Sequence, residues 1–107
     1  MDKGITKIIN SYLQYLIKEQ IKFKKAYLFG SFAKSKETIY SDIDIALVFD
    51  KAYISDRFDL QVQLLTLASD IDTRIEPHPI NSDDFNNDNP FAYEIIKTGK
   101  EIKVNLP

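Results

Sequence analysis

Apolar residues at Ile5, Ile8, Ile9, Tyr12, Leu13, Leu16 and Ile17 recur at i, i+3, i+4 and i+7, which predicts an amphipathic helix over about residues 5–21. Lys18 and Lys22 near its end suit the negative end of the helix dipole. The short apolar run 26–29 ends at Gly30 and reads as a buried strand, after which Ser31 is placed to cap a short helix through Phe32 and Ala33. A polar loop, 34–41, leads to a second strand over 43–49. Its nearly continuous apolar character (Ile43, Ile45, Ala46, Leu47, Val48, Phe49) predicts a central position covered on both faces. Phe58, Leu60, Val62, Leu64, Leu65, Leu67, Ala68 and Ile71 lie along a second helix opened by Ser55 or Asp56. Residues 73–77 read as a third strand, stopped by Pro77 and Pro79 because neither can donate to a ladder. An Asn/Asp-rich loop, 81–89, precedes Pro90 and a helix over 91–98 that ends at Gly99 as its C′ residue. Residues 101–104 add an edge strand. The order predicts an α/β (α+β) fold with one small mixed β-sheet flanked by helices.

The chain has 107 residues, which is room for a single domain over 1–107. Its 44% hydrophobic and 28% charged residues are ordinary for a globular protein and need no special environment. It has no cysteine, so disulfides and thiolate metal sites are excluded, and a cytoplasmic location is expected. The opening Met1-Asp2-Lys3-Gly4 has no signal-peptide character, and no apolar run reaches membrane-spanning length, so no membrane association is expected. With net charge −2 and a pI of about 5.3, stable nucleic-acid binding is not expected either. The small basic cluster Lys18, Lys22, Lys24 and Lys25 reads as a solvated helix end.

Candidate chemistry concentrates in Gly30-Ser31 and Ser41-Asp42-Ile43-Asp44. Strand side chains alternate faces, so Asp42 and Asp44 point the same way. Aligned carboxylates repel unless a cation joins them, and Mg²⁺ is held by one or two carboxylates together with substrate phosphate oxygens. A tight Gly-Ser turn after a strand offers backbone N–H groups to phosphates. Together these predict a site for a nucleoside triphosphate and its metal. A third acid is usually needed, and the third strand offers Glu76 and Asp72; the mid-strand position of Glu76, between Ile75 and Pro77, favours it. Asp72, Arg74, Glu76 and His78 share one face of an extended chain. His78 reads as a surface or substrate-side residue, since hard cations with oxygen ligands leave it no task. Arg74 reads as a structural partner of a carboxylate, Lys34 and Lys36 as solvated loop lysines, and Tyr27, Tyr40 and Tyr53 as core or rim residues.

Gly30-Ser31-Phe32-Ala33 followed by Ser41-Asp42-Ile43-Asp44-Ile45-Ala46-Leu47-Val48 resembles the signature of the polymerase-beta-like nucleotidyltransferase superfamily. The nearest likeness is to its minimal (MNT) members, often paired with HEPN proteins in toxin–antitoxin modules. The closing segment from Asn89-Pro90 to Gly99 and Ile102 continues it, so the resemblance covers nearly the whole chain. It implies that Gly30, Ser31 and Ser41 face the nucleotide and that Asp42, Asp44 and Glu76 bind Mg²⁺ and act in catalysis. Two features depart from the usual pattern: Phe32 and Ala33-Lys34-Ser35 replace a basic residue and an Ala-Arg-Gly run, and Glu76 stands where Asp is common.

The reaction implied is AMP transfer from ATP to an acceptor hydroxyl. At this size no acceptor-binding domain accompanies the core, so the acceptor is expected on a separate protein. The resemblance points to a HEPN-type toxin in a hetero-oligomer, with the chain acting as antitoxin. A rival reading keeps nucleotide binding and drops catalysis, the chain masking its partner sterically; clustered acids argue against it. A small-molecule transferase of the aminoglycoside kind lacks an evident acceptor pocket.

Overall fold

A computed structural model describes residues 3–39 and 41–104; Tyr40, read above as a core or rim residue, lies outside them, as do Met1 and Asp2. Helix α1 (Lys3–Lys18) buries Ile5, Ile9, Tyr12, Leu13 and Leu16, the stripe its periodicity marks. It ends earlier than residue 21, for a reason its composition hides. Gln20 takes a left-handed φ of 63°. The Gln20 N–H then reaches Ile17 O at 3.0 Å and the Ile21 N–H reaches Leu16 O at 2.9 Å. That is a Schellman closure with glutamine in the seat glycine usually fills.

Strand β1 (Lys25–Phe29) runs antiparallel to β2 (Ile43–Phe49). After a short 3₁₀ turn at Lys51–Tyr53, α2 (Arg57–Ser69) is opened by Asp56, whose carboxylate accepts the Asp59 N–H at 3.0 Å. Strand β3 (Ile75–Asn81) lies parallel to β2. Helix α3 (Pro90–Thr98) is capped by Asn89, which accepts the N–H groups of Phe91 and Ala92, and β4 (Lys100–Ile102) pairs antiparallel with β1. The sheet order is β3-β2-β1-β4, a mixed four-stranded sheet with β2 inside it, as the apolar run predicts. Among the described residues no helix is long and apolar enough to cross a membrane.

Alternation along β2 divides the core. Ile43, Ile45, Leu47 and Phe49 join α1 and α2 residues in the main cluster. Val48 on the opposite face packs with Ile80 and Ala92, flanked by Tyr27 and Phe85. This second face is covered at the Val48 end and half-open at Asp44. Tyr12 donates a buried hydrogen bond to Leu64 O at 3.0 Å, tying α1 to α2, and burial pushes its hydroxyl pKa up. Tyr53 stacks on Phe49 at 5.2 Å and Tyr27 leans on Phe85 at 5.0 Å.

Three expectations need correction. Pro77 and Pro79 do not stop β3; the strand runs through both to Asn81. An extended residue turns its N and its carbonyl to the same side, so alternate residues of an edge strand face outward and a proline there forfeits no ladder bond. The outward carbonyls are taken by side chains of α2: Gln61 Nε2 donates to Pro77 O at 2.9 Å and Arg57 Nη1 to Pro79 O at 2.8 Å. No helix follows Ser31. Residues 30–35 form successive turns in which Lys34 N–H reaches Gly30 O at 3.2 Å and Lys36 N–H reaches Ser31 O at 2.9 Å, with Phe32 and Ala33 buried. Gly99 is extended rather than left-handed (φ −76°), and close approach is what demands glycine: a Cβ would lie 2.5 Å from Ile95 O and 3.2 Å from Leu28 O.

Candidate active site

The site is built where three strands present their ends together. Asp44 stands opposite Phe29 on β1 and opposite Glu76 on β3. Phe29 leads directly into Gly30, which takes φ +74° and packs so closely on Asp44 that a Cβ would lie 2.5 Å from its Oδ2. The bend and the carboxylate therefore share one surface, and only a residue without a side chain fits between them.

Asp44, Glu76 and His78 each offer a ligand atom, and these atoms lie within 4.8 Å of one another. His78 Nε2 is 3.1 Å from Asp44 Oδ1 and 4.0 Å from Glu76 Oε1. The Asp44 side chain is 23% exposed, that of His78 28% and that of Glu76 48%, so the cluster is recessed but reachable. Asp42 is exposed at the mouth. Its carboxyl beside Glu76 holds the Glu76 carboxyl above the usual carboxylate range; burial and the Asp44 charge push the same way, and His78 pulls against them. Crowded acids that raise one another's pKa are relieved by a cation. The donor set (carboxylate oxygens and one imidazole) suits a divalent ion.

Other candidates are engaged elsewhere. Asp72 is forked by Arg74, with Nε at 3.1 Å from Oδ1 and Nη2 at 3.0 Å from Oδ2, and it also accepts the Arg74 backbone N–H. That grip holds the Asp72 carboxyl below its usual range. Ser41 Oγ accepts the Thr38 N–H at 2.8 Å while the Ser41 N–H reaches Thr38 O at 3.1 Å, closing the turn that delivers the chain to Asp42. Ser31 is half-buried in the bend after Gly30. Lys34 pairs with Glu94 of α3 at 3.0 Å, and Lys36 is exposed.

His78 is the residue whose place the sequence concealed. Its ring packs edge-on against Phe29 at 5.0 Å and lies 5.9 Å from Phe91. The i, i+2 spacing from Glu76 was the available signal, since it put both on one face. Beside His78 opens a cleft of about 660 Å³, lined by Arg57, Phe58, Gln61, Asn89 and Phe91 among others.

No curated protein sequence matches the chain. Among solved structures, the fold is similar to two crystal structures of the toxin–antitoxin MntA-HpeT. One carries a tyrosine-to-alanine substitution (TM-score 0.54, 23% identity, covering 90% of this chain and 72% of that one). The other carries two aspartate-to-glutamate substitutions (TM-score 0.53, 20% identity, covering 90% and 73%). The family model described as polymerase beta, nucleotidyltransferase matches residues 10–105, which takes in the glycine bend, the acids of the site, and helices α2 and α3. The chain belongs to the polymerase-beta nucleotidyltransferase family.

Proposed function

We propose that residues 1–107 form one catalytic domain that moves AMP from ATP onto a hydroxyl of a partner protein, a HEPN-type toxin held with it in a cytoplasmic hetero-oligomer, and so acts as an antitoxin. The observation that carries this is the convergence of Asp44 and Glu76 beside the Gly30 bend. A site that only masked a partner would have no use for acids crowded against their own repulsion. The toxin partner rests on the MntA-HpeT likeness.

The residues present fit a divalent cation. Asp42, Asp44 and Glu76 would hold Mg²⁺, which supplies neutralisation of phosphate charge and alignment for in-line displacement. The turn at Gly30, Ser31 and the nearby Ser41 would cradle the outer phosphates. The acceptor hydroxyl oxygen attacks the α-phosphorus, and the bond from that phosphorus to the α–β bridging oxygen breaks. Pyrophosphate leaves with that electron pair. Glu76 takes the hydroxyl proton. The cleft beside His78 gives a protein acceptor an approach from the β3 edge.

The test is incubation of the chain with Mg²⁺ and ATP labelled at the α-phosphate, with and without a co-expressed small helical partner. The expected result is one AMP added to the partner, lowered at least ~10²-fold in Asp44→Asn, which removes a direct metal ligand. ATP binding without transfer, together with toxin neutralisation that survives Asp44→Asn, would establish the masking role instead.

A further inference from the structure

We infer that His78 supplies a nitrogen ligand to the cation held by Asp44 and Glu76, so that this half of the site selects a first-row transition-metal dication over Mg²⁺. The inference rests on the metal-site reading above and goes beyond its all-carboxylate donor set.

The two spacings from His78 are those of a coordination shell. Ligands about 2.1 Å from one ion stand roughly 3.0 Å apart on adjacent corners of an octahedron and roughly 4.2 Å apart on opposite ones. His78 Nε2 lies 3.1 Å from Asp44 Oδ1 and 4.0 Å from Glu76 Oε1, and all three donors fall within 4.8 Å of one another. The ring is not a wandering surface group. It is fixed on β3 in register with Ala46, with Phe29 against it at 5.0 Å and Phe91 at 5.9 Å.

Chemistry then sets the preference. Mg²⁺ takes oxygen ligands and keeps its water, whereas imidazole suits the later first-row dications. Two-ion transferases give one ion to the leaving oxygen and one to the attacking oxygen. Asp42 and Asp44 serve the ion that arrives with the triphosphate, leaving Asp44, Glu76 and His78 for the acceptor side.

The sequence contains one histidine, so in tag-free protein any imidazole signal has a single source. MnCl₂ alone is added to the full chain, and pulsed EPR reads the ¹⁴N coupling of the bound ion. Calorimetry measures Zn²⁺ and Mg²⁺ affinities for wild type, His78→Gln and His78→Phe. Wild type is expected to show imidazole ¹⁴N coupling that both variants lack, and the Zn²⁺ to Mg²⁺ affinity ratio is expected to fall at least ~10-fold in each. Mn²⁺ bound to wild type without ¹⁴N coupling, or an unchanged ratio in folded variants, overturns the inference; the 3.1 Å contact is then a hydrogen bond only. Should the variants fail to fold, the wild-type spectrum alone decides. If wild type binds ATP in Mg²⁺ yet shows no coupling, the His78 assignment fails and the transferase site stands. If it binds neither Mn²⁺ nor ATP in Mg²⁺, both fail.

Discussion

Replacing Gly30 with alanine perturbs the bend and the acid in one step. Gly30 sits at φ +74°, where an L side chain costs about 1–2 kcal/mol. The new methyl carbon would also stand 2.5 Å from Asp44 Oδ2, whereas ordinary contact begins at 3.4 Å. One group must therefore give way by about 0.9 Å, the difference between those distances. Asp44 is the softer of the two, because its side chain turns more easily than a backbone pinned at the end of β1. A reacting constellation displaced by about 1 Å loses on the order of 10² in rate. Gly30→Ala is thus expected to lower AMP transfer about 10²-fold and to weaken ATP binding in Mg²⁺. Its thermal midpoint should fall by about 4–8 °C for each kcal/mol lost. A double-mutant cycle separates the two costs. In an Asp44→Ala background the carboxylate is gone, so Gly30→Ala should retain only its backbone cost, while activity stays absent in Asp44→Ala with or without Gly30→Ala. Full ATP affinity and an unchanged midpoint in Gly30→Ala would refute the close packing of bend and acid.

Gln20→Gly should stabilise the chain by about 1 kcal/mol in urea unfolding, because Gln20 holds a left-handed φ of 63° that glycine adopts freely. Tyr12→Phe should cost about 0.5–1.5 kcal/mol by the same measurement, since it removes the buried hydrogen bond to Leu64 O. Asp72→Asn should destabilise the fold at neutral pH and progressively less as pH falls. The Arg74 fork depresses the folded-state pKa of Asp72, so its stabilisation is full above the unfolded value and is lost as pH drops through the folded one. Unfolding midpoints from pH 7 down to pH 3 read this directly; a gap that stays constant or widens on acidification would contradict the Arg74 pairing.

Much of the architecture was legible because its signals are local. The 3.6 period of α1, the apolar run of β2 and the Asn89-Pro90 start of α3 each follow from side chains meeting their immediate neighbours. The alternation that turns Asp44 away from the face of Ile43 and Ile45 is equally local. What stayed hidden depends on partners far along the chain. Pro77 and Pro79 look like strand breakers until the sheet order makes β3 an edge and α2 supplies Gln61 and Arg57 to its carbonyls. The mid-strand position of Glu76 favours it over Asp72 in the sequence, but the Arg74 grip on Asp72 and the pairing of Glu76 opposite Asp44 emerge only in the fold. His78 looks idle until the parallel pairing of β2 with β3 carries it to within 3.1 Å of Asp44. The end of α1 was misjudged because glutamine carries no left-handed signature; the backbone closure, rather than its side chain, sets the conformation.

The proline-bearing margin of β3 has a consequence for assembly. A visiting strand needs alternating donors and acceptors, and along this rim it would meet two positions with no hydrogen to give and two oxygens already satisfied by α2. Lateral growth of the sheet is barred on that flank, so whatever docks beside His78 must arrive as side chains or a helix, never as borrowed backbone.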